Sequence, residues 1–134
     1  MNFSIEQSIS ILERTPGVIE KLLSGLADEW IFANEGGETW SPFDTLGHLI
    51  HGERTDWIAR LKIILSDSDN RKFTPFDRFA QFDESKGKSL KDLIFEFKNL
   101  REQNIATLKS KNISVHPIIH PSPNLLHLFP LRKH

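Results

Sequence analysis

The apolar residues of this chain recur every three or four positions over three long stretches, which is the spacing of one face of an α-helix. The stretches span about residues 4–26, 41–65 and 89–111. No stretch alternates apolar and polar residues in the way a half-buried strand does. The pattern therefore predicts an all-α protein, an antiparallel bundle with three long helices.

Two of these helices have clear start signals. Ser41 stands before Pro42 and three residues before Asp44, and Ser89 stands three residues before Asp92. A serine followed by an acid at the third helical position forms a capping box, and proline is favoured at the first helical position. In the first stretch, residues 16–17 are Pro-Gly and predict a kink or a short break. Residues 66–88 predict an irregular connection with Phe anchors.

The last 22 residues differ in composition from the rest. Residues 113–134 contain none of the eighteen acids but four of the six histidines and four of the seven prolines. This proline density excludes a regular helix. We therefore expect a helical domain over residues 1–112 and an irregular, Pro- and His-rich tail over residues 113–134, with the fourth helix of a bundle missing or replaced by that tail.

Charged residues lie on the apolar faces of the second and third helices. On a helical wheel, Glu53 falls within the apolar stripe of the second helix, and Arg101 and Asn104 fall within that of the third. A buried charge needs a partner, so we expect Glu53 to meet Arg101, with Asn104 or Arg60 in support. The alternative is a partly exposed pair at the end of the bundle. A structural role is favoured over a catalytic one.

The histidines are the candidate metal ligands. His48 and His51 lie one turn apart, close enough to share an ion, although periodicity alone places His48 opposite the apolar stripe, on the surface or at a second interface. His116 and His120 have the spacing of two ligands on one helix, but the prolines beside them argue against that helix.

Composition limits the possible functions. The chain has 134 residues, no cysteine, and 17 basic against 18 acidic residues. The absence of cysteine excludes thiolate metal sites and a cysteine nucleophile. A net charge near zero gives no field for nucleic acid, and no apolar run spans a membrane. We expect a cytoplasmic protein without nucleic-acid or membrane partners.

The segment over residues 40–53 reads WSPFDTLGHLIHGE, followed by Trp57, Arg60 and Leu61. It resembles the second helix of the DinB/YfiT-like proteins, in which a Trp-Ser cap leads into a Gly-His-Leu segment. The resemblance covers about residues 4–111. It implies a four-helix bundle, a homodimer, and a divalent metal held by three histidines. The first ligand maps onto His48, and the other two onto His116 and His120, which have the His-x-x-x-His spacing.

The resemblance also implies a chemistry. The expected function is that of a metal-dependent enzyme, such as a thiol-dependent S-transferase that uses nickel or zinc and a low-molecular-weight thiol. Glu53 would then support a ligand or the fold. The general base is left open among Glu53, His51 and a metal-bound water. The alternative is a non-catalytic helical association domain without a complete metal site.

The chain departs from the family pattern after Lys111. A truncation or altered reading frame explains the tail, and so does a divergent end that folds back. We favour the first, under which His48 loses its co-ligands and the metal is absent or shared with a partner chain. A missing helix would expose an apolar groove. We expect a second copy to cover it, or the tail residues Leu125, Leu126, Leu128 and Phe129.

Overall fold

The computed structural model describes residues 4–67, 69–111 and 113. Within these residues the chain forms six helices and no strands, which confirms the all-α prediction. None of these helices is long and apolar enough to cross a membrane. The helices are α1 (Ile5–Leu23), α2 (Asp28–Ile31), α3 (Pro42–Thr55), α4 (Trp57–Ile64), α5 (Ala80–Ser85) and α6 (Leu90–Ser110).

Helix α1 continues without a break through the predicted interruption at residues 16–17. Pro16 is buried in the helix and has no N–H for the carbonyl of Leu12. A side chain of α6, Arg101, donates to that carbonyl instead. The helix therefore tolerates the proline, and of the predicted kink or short break, the break is wrong. It ends at Leu23, and Gly25 follows with a φ of +82°, a conformation that glycine adopts without strain.

Both predicted capping boxes are present. The Ser41 hydroxyl accepts from the Asp44 N–H, and the Asp44 carboxylate accepts from the Ser41 N–H; Ser89 and Asp92 repeat the arrangement. The single helix predicted over residues 41–65 is divided at Asp56, whose ψ of −85° leaves the helical region. Aspartate is a weak helix former, and this one directs its side chain to Arg60.

The connection over residues 66–88 is not irregular throughout, because it contains α5. The Asp77 carboxylate accepts from the N–H groups of Phe79 and Ala80 at 3.0 and 3.3 Å, which helps to start this helix. Helix α5 packs closely against α3 at Gly47, where the absence of a Cβ leaves room for Ser85. The connection thereby covers one side of α3.

Helix α6 packs against both α1 and α3. It runs antiparallel to α1, since Arg101 reaches Leu12 while Leu108 lies with Ile5 further along. It runs in the same direction as α3, since Ser85, just before α6, lies at Gly47, and Arg101, further along α6, binds Glu53, further along α3. The first halves of α3 and α6 accordingly share one apolar core, whose buried members are Leu23, Ile31, Phe43, Leu46, Ile50, Leu93, Ile94 and Phe97.

Candidate metal centre

His48 lies on α3, two turns after the Ser41 cap, and two aromatic rings cover it. The Trp40 ring lies 4.8 Å from the imidazole, centroid to centroid, and the Phe76 ring lies 5.2 Å away and nearly perpendicular. The side chain is half-buried. Of the two positions that periodicity allowed, a second interface is therefore the correct one: the side of α3 opposite the core faces the connection.

The Nδ1 atom of His48 is buried and has no hydrogen-bond partner among the described residues. Buried polar atoms without a partner are uncommon, because leaving a nitrogen unpaired away from water is unfavourable. A nitrogen lone pair in this situation is suited to accept a hydrogen bond or to bind a metal ion. Its chemistry fits the first ligand of the expected metal site.

A cavity of about 410 Å³ adjoins His48 between α3, α4 and α6. Its volume is that of a small-molecule site. Its lining combines the imidazole with two acidic and two basic side chains and with aromatic walls. The lining residues are His48, Leu49, Gly52, Glu53, Asp56, Trp57, Arg60, Phe76 and Arg101.

Glu53 and Arg101 form the predicted buried ion pair in one wall of this cavity. Arg101 donates to Glu53 Oε1 from Nε at 2.9 Å and from Nη2 at 2.6 Å. Asn104 donates from Nδ2 to Glu53 Oε2 at 2.9 Å and to the Glu53 carbonyl at 2.7 Å. Both carboxylate oxygens are thus occupied, and the geometry supports a structural role for Glu53.

Arg60 does not support this pair. It binds Asp56, the N-cap residue one turn before it, and lies over the Phe73 ring, 5.2 Å from its centroid. Its side chain is 43% exposed, so it forms the rim of the cavity rather than its wall. Of the two predicted supporters of Glu53, Asn104 is confirmed and Arg60 is wrong, because α4 starts in a new direction after Asp56.

His51 is engaged elsewhere and does not share a site with His48. Its Nδ1 lies 3.0 Å from Glu84 Oε1, and since an ionised carboxylate only accepts, Nδ1 donates. Its Nε2 lies 3.4 Å from the Thr55 hydroxyl. With both nitrogens in contact with α3 and α5, His51 has no free nitrogen to share an ion with His48 in this arrangement.

The contact of His51 with Glu84 belongs to a charged network that joins three helices. Arg54 of α3 donates to Glu84 of α5 at 2.9 Å and also pairs with Glu96 of α6. Lys88 donates to Glu96 at 2.8 Å. The network fastens α5, and with it the end of the connection, to α3 and α6.

The structure does not test the two other predicted ligands. His116 and His120 lie outside the described residues. Within the described part of the chain, no cluster of three histidine, aspartate or glutamate side chains could hold a metal. Of the three predicted ligands, the described residues include His48 alone.

Sequence reasoning missed Phe76 and Asp56 as parts of this site. Phe76 is one of several phenylalanines in the connection, and nothing in its sequence neighbourhood distinguishes it from Phe73 or Phe79. Asp56 had a signal, because a weak helix former precedes Trp57 inside a long helical stretch. That low helix propensity is the sequence signal for the division between α3 and α4.

A family model described as the DinB superfamily matches residues 11–127, which is most of the chain. The match begins in α1, includes α3 with His48, and continues past the end of α6. No curated protein matches the chain.

Proposed function

Because the chain belongs to the DinB superfamily, we propose that it is a metal-dependent enzyme in which His48 binds a divalent cation. One observation supports this most directly: His48 Nδ1 is buried, lacks a partner among the described residues, and belongs to a side chain that lines a cavity of about 410 Å³. An imidazole with a purely structural role would be expected to use both nitrogens, as His51 does.

The proposed site needs more ligands than the described residues supply. Imidazole suits nickel and zinc, and catalytic zinc sites have three protein ligands and an open position. We assign the second and third positions to His116 and His120, from the same chain or from the second copy of a homodimer. Three histidine ligands form the simplest set that holds the cation and also leaves a coordination position open for a substrate.

The proposed reaction is the transfer of a low-molecular-weight thiol to an electrophile. A divalent cation bound there would favour the thiolate form of a coordinated thiol. The chain's own residues shape the cavity. Trp57 and Phe76 provide apolar walls, and Arg101 holds the Glu53 carboxylate in place. Glu53 is thereby unsuited to act as the general base, since both of its oxygens already accept hydrogen bonds.

Elemental analysis of the full chain, purified without a histidine tag, tests the proposal. We expect about one nickel or zinc ion per chain. The ion is lost in His48→Ala and in the double variant His116→Ala/His120→Ala. His134→Ala is the matched control and retains it. Metal-free protein after growth and dialysis with added nickel and zinc would overturn the proposal, and so would equal metal content in His48→Ala.

A second candidate is the association domain, which one surface of α1 favours. Ile11, Val18 and Leu22 recur at helical spacing and are 68%, 62% and 68% exposed. A stripe of this kind on a soluble domain indicates a contact with another apolar surface. In sedimentation experiments, the triple serine variant at these positions should shift a dimer to monomers, whereas Glu20→Ser on the same helix should not. A monomeric wild-type chain would exclude this candidate.

A further inference from the structure

Residues 71–79, which we name the flap, cover His48 without belonging to any helix or strand. Eight of their nine side chains are exposed, and Phe76, which is half-buried, is the exception. Its ring packs against His48 at 5.2 Å and against His51 at 4.9 Å, centroid to centroid. The flap thus directs one aromatic side chain inward, onto the imidazole whose Nδ1 is sealed from solvent.

Few contacts fasten the flap. Among the described backbone hydrogen bonds outside the helices, none starts or ends at residues 71–78. Apart from Phe76, the contacts of the flap with the helices and with Trp40 are made at exposed positions: Arg60 lies over the Phe73 ring, and Arg78 lies 5.9 Å from the Trp40 ring centroid. Segments with few buried contacts and no backbone ladder open at a low free-energy cost.

The carboxyl end of the flap is held in place. On its carboxyl side the chain enters α5, which the buried Ser85 and the charged contacts of Glu84 with His51 and Arg54 hold against α3. This end is fixed. Opening therefore amounts to the flap rotating away from α3 while α5 stays in place, and Phe76, a few residues from the fixed end, leaves the imidazole.

We propose that the flap is a lid over His48 with Phe76 as its plug, and that the imidazole, half-buried while the Phe76 ring is in place, becomes fully accessible to a ligand or reagent when Phe76 moves away. The proposal deepens the proposed function, because access to His48 would regulate metal or substrate binding there, and it rests on that function only for its biological meaning. The position of the ring and its accessibility are properties of the chain without any metal.

Carbethoxylation of His48 by diethyl pyrocarbonate, followed by peptide mass spectrometry on the full metal-free chain, tests the lid. Rates are compared with that of N-acetylhistidine over a pH series, so that the limiting rate of the neutral ring is obtained for each protein. We expect slow reaction of His48 in the wild type. Phe76→Ala should raise the limiting rate about tenfold, a factor that corresponds to about 1.4 kcal/mol of opening free energy, and Phe76→Leu should raise it less.

Phe95→Ala is the matched control, since Phe95 is 67% exposed on α6 and does not line the cavity. Its His48 rate should equal that of the wild type. Reaction of wild-type His48 as fast as N-acetylhistidine would overturn the lid, and so would equal rates in Phe76→Ala and the wild type. If the alanine variant does not fold, hydrogen exchange of the wild type decides: amides of the flap should exchange much faster than those of α3 and α5, and equal protection would refute the proposal.

The experiment separates this proposal from the proposed function. Metal content that depends on His48, together with an already accessible ring, would overturn the lid and leave the metal site standing. A shielded ring released by Phe76→Ala, in a protein that never binds metal, would overturn the metal site and leave the lid.

Discussion

The guanidinium of Arg101 donates a hydrogen bond from Nη1 to the backbone carbonyl of Leu12 at 3.1 Å. Leu12 precedes Pro16 by four residues, so its carbonyl is the one that lacks a helical donor. The same guanidinium makes two hydrogen bonds to Glu53. One side chain of α6 therefore satisfies an unpaired carbonyl in α1 and a buried carboxylate in α3, which explains how α1 keeps a proline without breaking.

This relationship predicts coupling between Pro16 and Arg101. Arg101→Met should lower the free energy of unfolding by about 3–5 kcal/mol, because it leaves the Glu53 charge buried without its partner. In a Pro16→Ala background the loss should be smaller by about 1 kcal/mol, since the backbone N–H that this substitution introduces then serves the Leu12 carbonyl. Urea denaturation of the four proteins measures both effects. Lys98→Met on the same helix is the control and should combine additively with Pro16→Ala. Additive effects of Arg101→Met and Pro16→Ala would contradict the interpretation.

The substitution Gln81→Met is predicted to stabilise the protein. Its side chain in α5 is 1% exposed, and neither amide atom has a hydrogen-bond partner among the described residues. An unpaired buried amide is unfavourable, whereas methionine of similar length has no strong polar atom to leave unpaired. Gln81→Met should raise the free energy of unfolding by about 1–3 kcal/mol in urea denaturation. Gln81→Glu should lower it, because it places a charge in the same position. A destabilised methionine variant would show that the amide has a polar partner, such as a buried water.

The positions of the three long helical stretches, both capping boxes and the Glu53–Arg101 pair could be predicted from the sequence because they follow from local rules. A Ser-x-x-Asp spacing determines a helix start within four residues, and a charge within an apolar stripe requires a partner on a facing helix. The continuity of α1 through Pro16 could not be predicted in the same way. It depends on Arg101, 85 residues further along the chain, which a local rule for proline does not include.

The surroundings of His48 also depend on distant contacts. Its position on the helical wheel is a local property, but the rings that cover it come from Trp40, before the helix, and Phe76, in the connection. Four phenylalanines of residues 73–82 have similar neighbours in the sequence, and only the packing of α5 at Gly47 brings one of them over the imidazole. The candidate ligand could therefore be predicted, whereas the plug above it could not.

The capping box of α6 predicts a pH dependence. Hydrogen bonds from the Ser89 N–H and then from the Ser89 hydroxyl lower the pKa of Asp92 from its ordinary value of 3.8. A lowered folded-state pKa means that ionised Asp92 contributes stability above pH 3.8, and that this contribution is lost as the pH falls through the folded-state pKa. The difference in unfolding free energy between wild type and Asp92→Asn should therefore be present at neutral pH and shrink on acidification.

Urea denaturation between pH 2 and 7 measures this difference. Ser89→Ala is the matched variant: it removes the hydroxyl donor and keeps the backbone N–H, which is the larger cause of the shift. The part of the unfolding free energy that depends on the Asp92 charge, and therefore on pH, should decrease in Ser89→Ala without disappearing. Asp92→Asn should remove it. A difference between wild type and Asp92→Asn that is constant with pH would contradict this account.

The two glycines of α3 predict opposite effects of the same substitution. A Cβ at Gly47 would lie 2.5 Å from the Ser85 hydroxyl oxygen, closer than real Cβ contacts, whereas a Cβ at Gly52 would meet nothing within 4 Å. Gly47→Ala should lower the free energy of unfolding by about 1–3 kcal/mol, because either the buried Ser85 hydroxyl must rotate into its neighbours or α5 must shift away from α3. Gly52→Ala, the control in the same helix, should raise it by about 1 kcal/mol through helix propensity.

Removing the hydroxyl should rescue the first substitution. In Gly47→Ala/Ser85→Ala the nearest atom to the new Cβ is the Cβ of residue 85, at 3.6 Å, which is an ordinary contact distance. The double variant should regain most of the lost stability in urea denaturation, and the His48 ring should return to its wild-type reactivity, since α5 holds the fixed end of the flap. If Gly47→Ala is as stable as Gly52→Ala, then α5 does not approach α3 as closely as described, and the anchoring of the flap at that point would be refuted.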